Sequence, residues 1–217
     1  MSAFDQFLSE LLPEPPACVL EVGCGRGELT TALSVAGYDV VGIDPAAPSG
    51  DPFRPLTLED LEEDGEPFDA VVAGFVLHHI RDLDAALDKV VRLLTTNGLL
   101  LVDEFGWDRI DDATLDWLLG QQRALAAIRE EESPGSLEDL RSEWEAEHVG
   151  LHGYEAMRRA LDARFEERTF AWVPYFYRSL GGAATEVLEQ ALVEAGSIQP
   201  LGFRYAGTPR ALSGPSL

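Results

Sequence analysis

Short continuous apolar runs alternate along this chain with stretches whose apolar positions recur every three or four residues. The runs read as strands buried on both faces, and the periodic stretches as helices that cover them. "ACVLEVG" (17–23) predicts a first strand, and "GELTTALSVAG" (27–37) a helix that Gly37 ends in the left-handed conformation. "YDVVGID" (38–44) is the second strand, "PFRPLTL" (52–58) a short third one punctuated by prolines, and "PFDAVVAGF" (67–75) the fourth. "DLDAALDKVVRLL" (82–94) sets Leu83, Leu87, Val90, Val91 and Leu94 on one helical face, and "TTNGLLLVDEF" (95–105) supplies a turn and a fifth strand. Ahead of all these, Phe4, Phe7, Leu8 and Leu11 form the apolar face of one short helix.

After Phe105 the rhythm changes. Residues 106–152 hold polar, acidic and tryptophan-bearing helical stretches, broken by "SPGS" at 133–136, and no core strand. The alternation then returns as helix "GYEAMRRALDA", strand "FEERTFAWV", helix "AATEVLEQALVEAG" and strand "PLGFRYAG". The prediction is an α/β fold: a Rossmann-like, doubly wound, mostly parallel seven-stranded sheet with a helical insertion after strand five. All of 1–217 then forms a single domain, with 106–152 a cap inserted within it, and Trp107, Trp117 and Trp144 giving that cap its apolar area.

Composition narrows the partners. The 217 residues are 46% hydrophobic and 25% charged, as in a soluble globular protein, and carry a formal net charge of −23. Such a surface repels phosphate backbones and anionic lipid, which argues against a nucleic acid or membrane partner. The N-terminal "MSAFDQFLSELL" has no signal-peptide pattern, and no apolar run approaches a membrane span. Cys18 and Cys24 stand too far apart to bridge if 18–23 is a strand, so a reducing cytoplasm is expected. Nothing in the sequence speaks to oligomeric state.

The glycines of "VLEVGCGRGELT" carry the chemistry. Gly23, Gly25 and Gly27 fall on the turn after strand one, where open parallel sheets bind ligands. A dinucleotide fingerprint would need a glycine at position 28, where the chain has Glu28. A carboxylate at that helix start opposes a pyrophosphate but suits a ligand bearing a sulfonium and an ammonium. Asp44, at the end of strand two, is placed to accept hydrogen bonds from the hydroxyls of a ribose.

These blocks resemble the class I S-adenosylmethionine-dependent methyltransferases, in particular the type 11 small-molecule group. "LEVGCGRGELT" is similar to that family's E/D-x-G-x-G-x-G motif, and "VVGIDPA" to its acidic strand-two end. "FDAVVAGFVLHHIRDLDAALDKVVRLLTTNGLLLVDEF" is similar to its strand-four, helix and strand-five block. The resemblance covers roughly residues 17–105. It implies S-adenosyl-L-methionine as cofactor, with Glu21, Gly23, Gly25 and Gly27 at the methionine end, Asp44 on the ribose and Pro45 beside the adenine. Gly74 and Phe75 would line the methionine moiety. Where the family often has an Asp against the adenine amino group this chain has Thr57, which with Leu58 would edge and cover the base.

Acceptor groups are read from position. His78 and His79 follow strand four, and Asp103 and Glu104 end strand five, beside the crevice; the expectation for the histidine pair is a structural one ahead of a catalytic one. His79, Glu104, Trp107, Tyr154, Tyr175 and Arg178 are the expected substrate-binding residues. His148 or His152 is the expected general base, against the alternative that both cap the helix at 153–163. No His/Cys cluster has metal-ligand spacing, so no metal is expected. The function expected is transfer of a methyl group to an O, N or C nucleophile of a small molecule. The alternatives are a non-catalytic protein binding the same cofactor, or another nucleoside-cofactor enzyme such as a dehydrogenase.

Overall fold

Strand β1 (Cys18–Val22) pairs in parallel with β2 (Asp39–Ile43) on one side and β4 (Phe68–Gly74) on the other. Val19 and Leu20 are fully buried, as a strand covered on both faces requires. The computed structural model describes residues 3–132 and 135–211, so Ser133 and Pro134 of the "SPGS" break lie outside the described residues. The third strand shrinks to β3 (Phe53–Arg54), paired with Gly42 and Ile43; Pro52 and Pro55, on either side, have no N–H for a ladder. β5 (Leu94–Phe105) runs parallel to β4, with Phe68 opposite Leu94 but Ala70 already opposite Leu99. The turn expected at Thr95–Gly98 therefore bulges from within the strand.

The sheet is completed by β6 (Phe165–Val173) and β7 (Gly202–Pro209), in the order β3-β2-β1-β4-β5-β7-β6. β7 is reversed. Gly106 N–H bonds the Leu201 carbonyl while Asp103 meets Arg204, and Arg210 N–H bonds the Arg164 carbonyl while Gly202 lies against Val173. Both neighbours thus run opposite to it, and the expected mostly parallel α/β sheet is the one observed.

Helix α1 (Ala3–Leu11) turns the predicted face inward. Leu8 joins Val19, Leu33, Val40, Ala70, Val72, Leu101 and Ala206 in one core cluster, with Phe4, Phe7 and Leu11 packed on it. Burying a leucine this fully is worth about 1.5–3 kcal/mol, so the helix is fastened to the sheet. α2 (Glu28–Val35) starts at Gly27, and α3 (Leu83–Leu93) is capped by the Asp82 carboxylate on the Ala85 N–H. α4 (Asp112–Arg129) and α5 (Leu137–Glu147) fill most of 106–152, and no described residue of that stretch is a strand. Asp111 caps α4, and Ser136 with Asp139 forms a capping box on α5, each cap contributing about 1 kcal/mol. α6 (Tyr154–Arg164) and α8 (Ala183–Glu194) match the expected helices; α7 (Tyr177–Leu180), a single turn, has no periodicity to announce it.

Two compact units partition the chain. One comprises the residues up to Glu104, Ala156–Phe170 and the chain from Arg204 onward; the other is Phe105–Glu155 with Ala171–Phe203. The second unit therefore draws on more chain than 106–152 alone. No helix among the described residues is long and apolar enough to cross a membrane.

Candidate functional site

A cavity of about 640 Å³, of the size that takes a small organic ligand, lies wholly within the first unit. Its walls come from the carboxyl ends of β1, β2 and β4: Val22 and Gly23, Ile43 to Pro45, and Phe75 with Val76. Leu56, Thr57, Leu58 and Glu59 close one side, and His79 to Asp82 another. The carboxyl edge of a parallel sheet is the ligand edge of such folds, so position and lining agree.

The glycine turn is built for close approach. Gly23, Gly25 and Gly27 have φ of +78°, +52° and +83°, a conformation that side chains disfavour. A Cβ on Gly27 would overlap the Phe53 ring of β3, whereas one on Gly25 would meet no protein atom within 4 Å. Gly27 is thus required by the protein's own packing, while the space over Gly25 is open to a ligand. Gly23 and Cys24 N–H both bond the Ile43 carbonyl, at 2.8 and 3.0 Å, tying the turn to the end of β2.

Asp44 sits where β2 ends. One carboxylate oxygen accepts the Gly25 N–H at 3.2 Å and the other the Ala46 N–H at 2.7 Å. Each carboxylate oxygen accepts more than one hydrogen bond, so the side chain is oriented with capacity to spare for hydroxyls in the cavity. Pro45, Thr57, Leu58 and Phe75 line the cavity as well, but the Thr57 hydroxyl is also engaged, donating to Asp60 at 2.9 Å. Phe75 has φ +51°, which costs a side-chain-bearing residue about 1–2 kcal/mol, and its N–H bonds the Asp103 carbonyl at 2.8 Å. Backbone held in such a conformation by its surroundings is found most often at ligand clamps and active sites.

Glu21, Gly25, Gly27 and Gly74 stand outside the lining itself. Glu21 is buried in β1 and accepts the Thr30 hydroxyl; burial pushes its carboxyl above the ordinary 4.5. Glu104 is fully buried: its Oε1 accepts the Leu77 N–H at 2.7 Å and its Oε2 lies 2.7 Å from His78 Nδ1. That carboxylate anchors the Leu77–His79 turn, which explains why a histidine and an acid end adjacent strands. Of the His-His pair only His79 lines the cavity; it is exposed overall, and partial desolvation of its ring, with His78 beside it, lowers its affinity for a proton. Val76, Ile80, Arg81 and Asp82 were not expected in the lining; they follow the predicted Phe75 on one irregular turn, where no periodicity indicates direction.

The remaining predicted residues belong to the second unit. His148 is buried, with its ring 4.2 Å from Trp144, 5.5 Å from Trp107 and 5.6 Å from Phe105. It ends α5, and the C-terminal cap is on that helix instead of the one at 153–163. Its Nδ1 lies 2.6 Å from the Trp144 carbonyl. A carbonyl only accepts, so Nδ1 carries the hydrogen, and Nε2 is the basic nitrogen of the neutral ring. Tyr175 stacks on Phe105 at 4.3 Å, and Tyr154 packs on Trp172 at 4.6 Å. Arg178 is exposed over the Tyr177 ring, and His152 is half-buried between α5 and α6.

A sheet of this order, with a glycine turn after β1 and an acid ending β2, defines the class I methyltransferase architecture. Solved structures share it: an S-adenosylmethionine dependent methyltransferase from Mesorhizobium loti has TM-score 0.60 at 15% identity, covering 96% of this chain and 98% of that one. The 1,6-didemethyltoxoflavin-N1-methyltransferase of Burkholderia thailandensis, solved with 1,6-didemethyltoxoflavin and S-adenosylhomocysteine, has TM-score 0.57 at 17% identity, covering 95% and 76%. The chain belongs to the methyltransferase-domain family, whose model matches residues 2–170. Among curated relatives, the ubiquinone biosynthesis O-methyltransferase of Cereibacter sphaeroides is 37% identical over 112 residues, 45% of each chain. The human mitochondrial ubiquinone biosynthesis O-methyltransferase is 38% identical over 101 residues, 39% of this chain and 27% of that one. The matched part spans less than half the length of either relative.

Proposed function

We propose that this protein is a methyltransferase that binds S-adenosyl-L-methionine in the first-unit cavity and methylates an O, N or C nucleophile of a small molecule. The observation that carries the reading is Asp44, held by the Gly25 and Ala46 N–H groups at the mouth of a largely apolar cavity. That pairing suits a nucleoside: a carboxylate for ribose hydroxyls, with Leu56, Leu58 and Ile80 for a flat base. Glu28, in the first turn of α2, sets a negative charge where a dinucleotide's pyrophosphate would need the helix end to itself. The bound cofactor supplies a methyl group already activated by the sulfonium. The protein's share is to fix the partners at near-attack distance and exclude water.

A proton must leave when the acceptor is a hydroxyl, an amine or a carbon acid. His148 or His152 is the proposed receiver; in His148 the bond to the Trp144 carbonyl leaves Nε2 the basic nitrogen. A small acceptor is favoured over nucleic acid by the formal charge of −23. Two free thiols, Cys18 and Cys24, favour a cytoplasmic setting. Calorimetry with S-adenosylhomocysteine and NAD tests the cofactor assignment. The first should bind and the second should not, and Asp44→Ala should weaken the first at least tenfold while circular dichroism stays native. Unchanged S-adenosylhomocysteine affinity in Asp44→Ala and Gly25→Val would sink the assignment.

A further inference from the structure

Arg109 closes the single turn Trp107–Arg109 that follows β5, inside the second unit. Its guanidinium carbon lies 4.1 Å from the centroid of the Trp172 ring and 5.3 Å from that of Tyr154. Those two rings are 4.6 Å apart, and both reach Phe203, at 6.1 and 5.4 Å, so the charge rests on a packed three-ring platform. The stem is held too. A Cβ on Gly106 would stand 2.7 Å from the Tyr154 Cβ and 3.1 Å from the Arg109 Cδ, so glycine is what lets these groups close up.

In a chain with 39 acids and 16 Lys and Arg residues, a half-buried arginine is expected to hold a carboxylate, and Arg158, Arg164 and Arg204 do. Arg109 does not. No described residue hydrogen-bonds its guanidinium or forms an ion pair with it, and its Nε is shut off from solvent without an acceptor. The adjacent Asp108 is committed elsewhere, its Oδ1 accepting the Tyr154 N–H at 2.8 Å. A buried donor without an acceptor lowers stability and calls for a partner beyond the chain's own groups, a water or a ligand. A guanidinium offers a planar fork that matches a carboxylate in two parallel hydrogen bonds. An anion docked in that plane carries its own ring alongside Trp172 and Tyr154, where a flat apolar body packs.

We propose that Arg109, on its Tyr154–Trp172–Phe203 platform, binds the carboxylate of a planar aromatic acid. The site stands independently of the methyl-transfer reading.

The test uses the full chain with 2-naphthoate as probe and 2-naphthamide as its uncharged match, followed by quenching of tryptophan fluorescence. The acid should bind at least tenfold tighter than the amide, and more weakly as salt is raised. Arg109→Gln should remove that preference. Arg109→Lys, which keeps the charge and loses the fork, should weaken the acid severalfold. Gly106→Ala, which adds no charge but displaces Tyr154 and the arginine stem, should weaken it as well, giving a second arm if an Arg109 variant fails to fold. Calorimetry with S-adenosylhomocysteine on the same samples reads the cofactor cavity separately. A protein that takes naphthoate but not S-adenosylhomocysteine ends the methyl-transfer reading and leaves the anion site standing. Equal binding of acid and amide, no binding of the acid, or undiminished acid affinity in folded Arg109→Gln and Gly106→Ala overturns the site.

Discussion

Replacing Glu189 should loosen one particular turn and cost more stability than any surface change. The side chain is buried in α8, and its Oε1 accepts the N–H groups of Tyr175 at 2.7 Å and Phe176 at 3.0 Å, while Oε2 accepts that of Tyr177 at 2.8 Å. One carboxylate thus serves the three consecutive donors that start α7. Burial pushes its carboxyl above the ordinary 4.5, so the fold needs the acceptors more than the charge. In Glu189→Ala the Phe176 N–H, itself buried, loses its acceptor outright, and the half-buried Tyr175 and Tyr177 donors recover part of theirs from water. At about 1–3 kcal/mol for the first and about 1 for each of the others, the loss is about 3–5 kcal/mol. That lowers Tm on the order of 10 °C for a chain of this size. Glu189→Gln keeps one carbonyl oxygen for Tyr175 and Phe176 and turns an amide donor on Tyr177, so it should lose only about 1–2 kcal/mol. Urea unfolding gives the totals, and hydrogen exchange at the amides of 175–177 gives the locality. If Glu189→Ala unfolds within 1 kcal/mol of wild type, or if those three amides stay protected, the carboxylate is not what holds the turn.

Gly27→Ala should destabilise by about 2–4 kcal/mol, combining left-handed strain with displacement of Phe53, whereas Gly25→Ala pays the strain alone, about 1–2 kcal/mol. The order should invert for S-adenosylhomocysteine affinity, and a Gly25→Ala protein that binds normally would show that its open space is not the ligand's. Glu21 supplies a pH signature. Its folded-state value is raised by burial, so the native state holds this proton more tightly than the unfolded chain, and stability falls as pH rises from 4.5 through the raised value. Relative to Glu21→Gln, wild type should therefore lose stability as pH rises above 4.5; a constant difference in urea midpoints would refute the burial argument. With cofactor affinity confirmed first, His148→Ala or His152→Ala should lower turnover tenfold or more. If both variants keep wild-type turnover across pH 6–8, neither histidine is the base.

What could be read from the sequence depended on how far apart the cooperating residues lie. The β1–α2–β2 unit declared itself because its apolar run, its glycine turn and its terminal Asp44 fall within one short stretch, and each obeys a local rule. β6 was legible to the residue because Pro174 ends it. Of the cavity's second wall only His79 was legible, since Ile80 to Asp82 line it from an irregular turn. Arg109 is silent in the sequence for another reason: no motif or periodicity marks it, and only the Trp172 and Tyr154 rings, brought close by folding, set it apart.

The buried acids make the same point in energetic terms. Glu21, Asp103, Glu104 and Glu189 are all buried, and a carboxylate is tolerated inside only where donors meet it. Their donors lie at increasing sequence distance: Thr30 for Glu21, 9 residues away; the Tyr177, Phe176 and Tyr175 N–H groups for Glu189, 12 to 14 away; His78 for Glu104, 26 away; Arg204 for Asp103, 101 away. Glu21 was expected at the site from its motif, and Asp103 and Glu104 as strand-end acids facing a crevice; Glu189 looked like any polar position of an amphipathic helix. The structure turns three of the four to holding the backbone or a neighbouring strand, Glu104 beneath the His78–His79 turn among them. In so acidic a chain the carboxylates that matter are those whose donors come from elsewhere in the fold. The inverse rule found Arg109, the half-buried cation whose partner the fold does not provide.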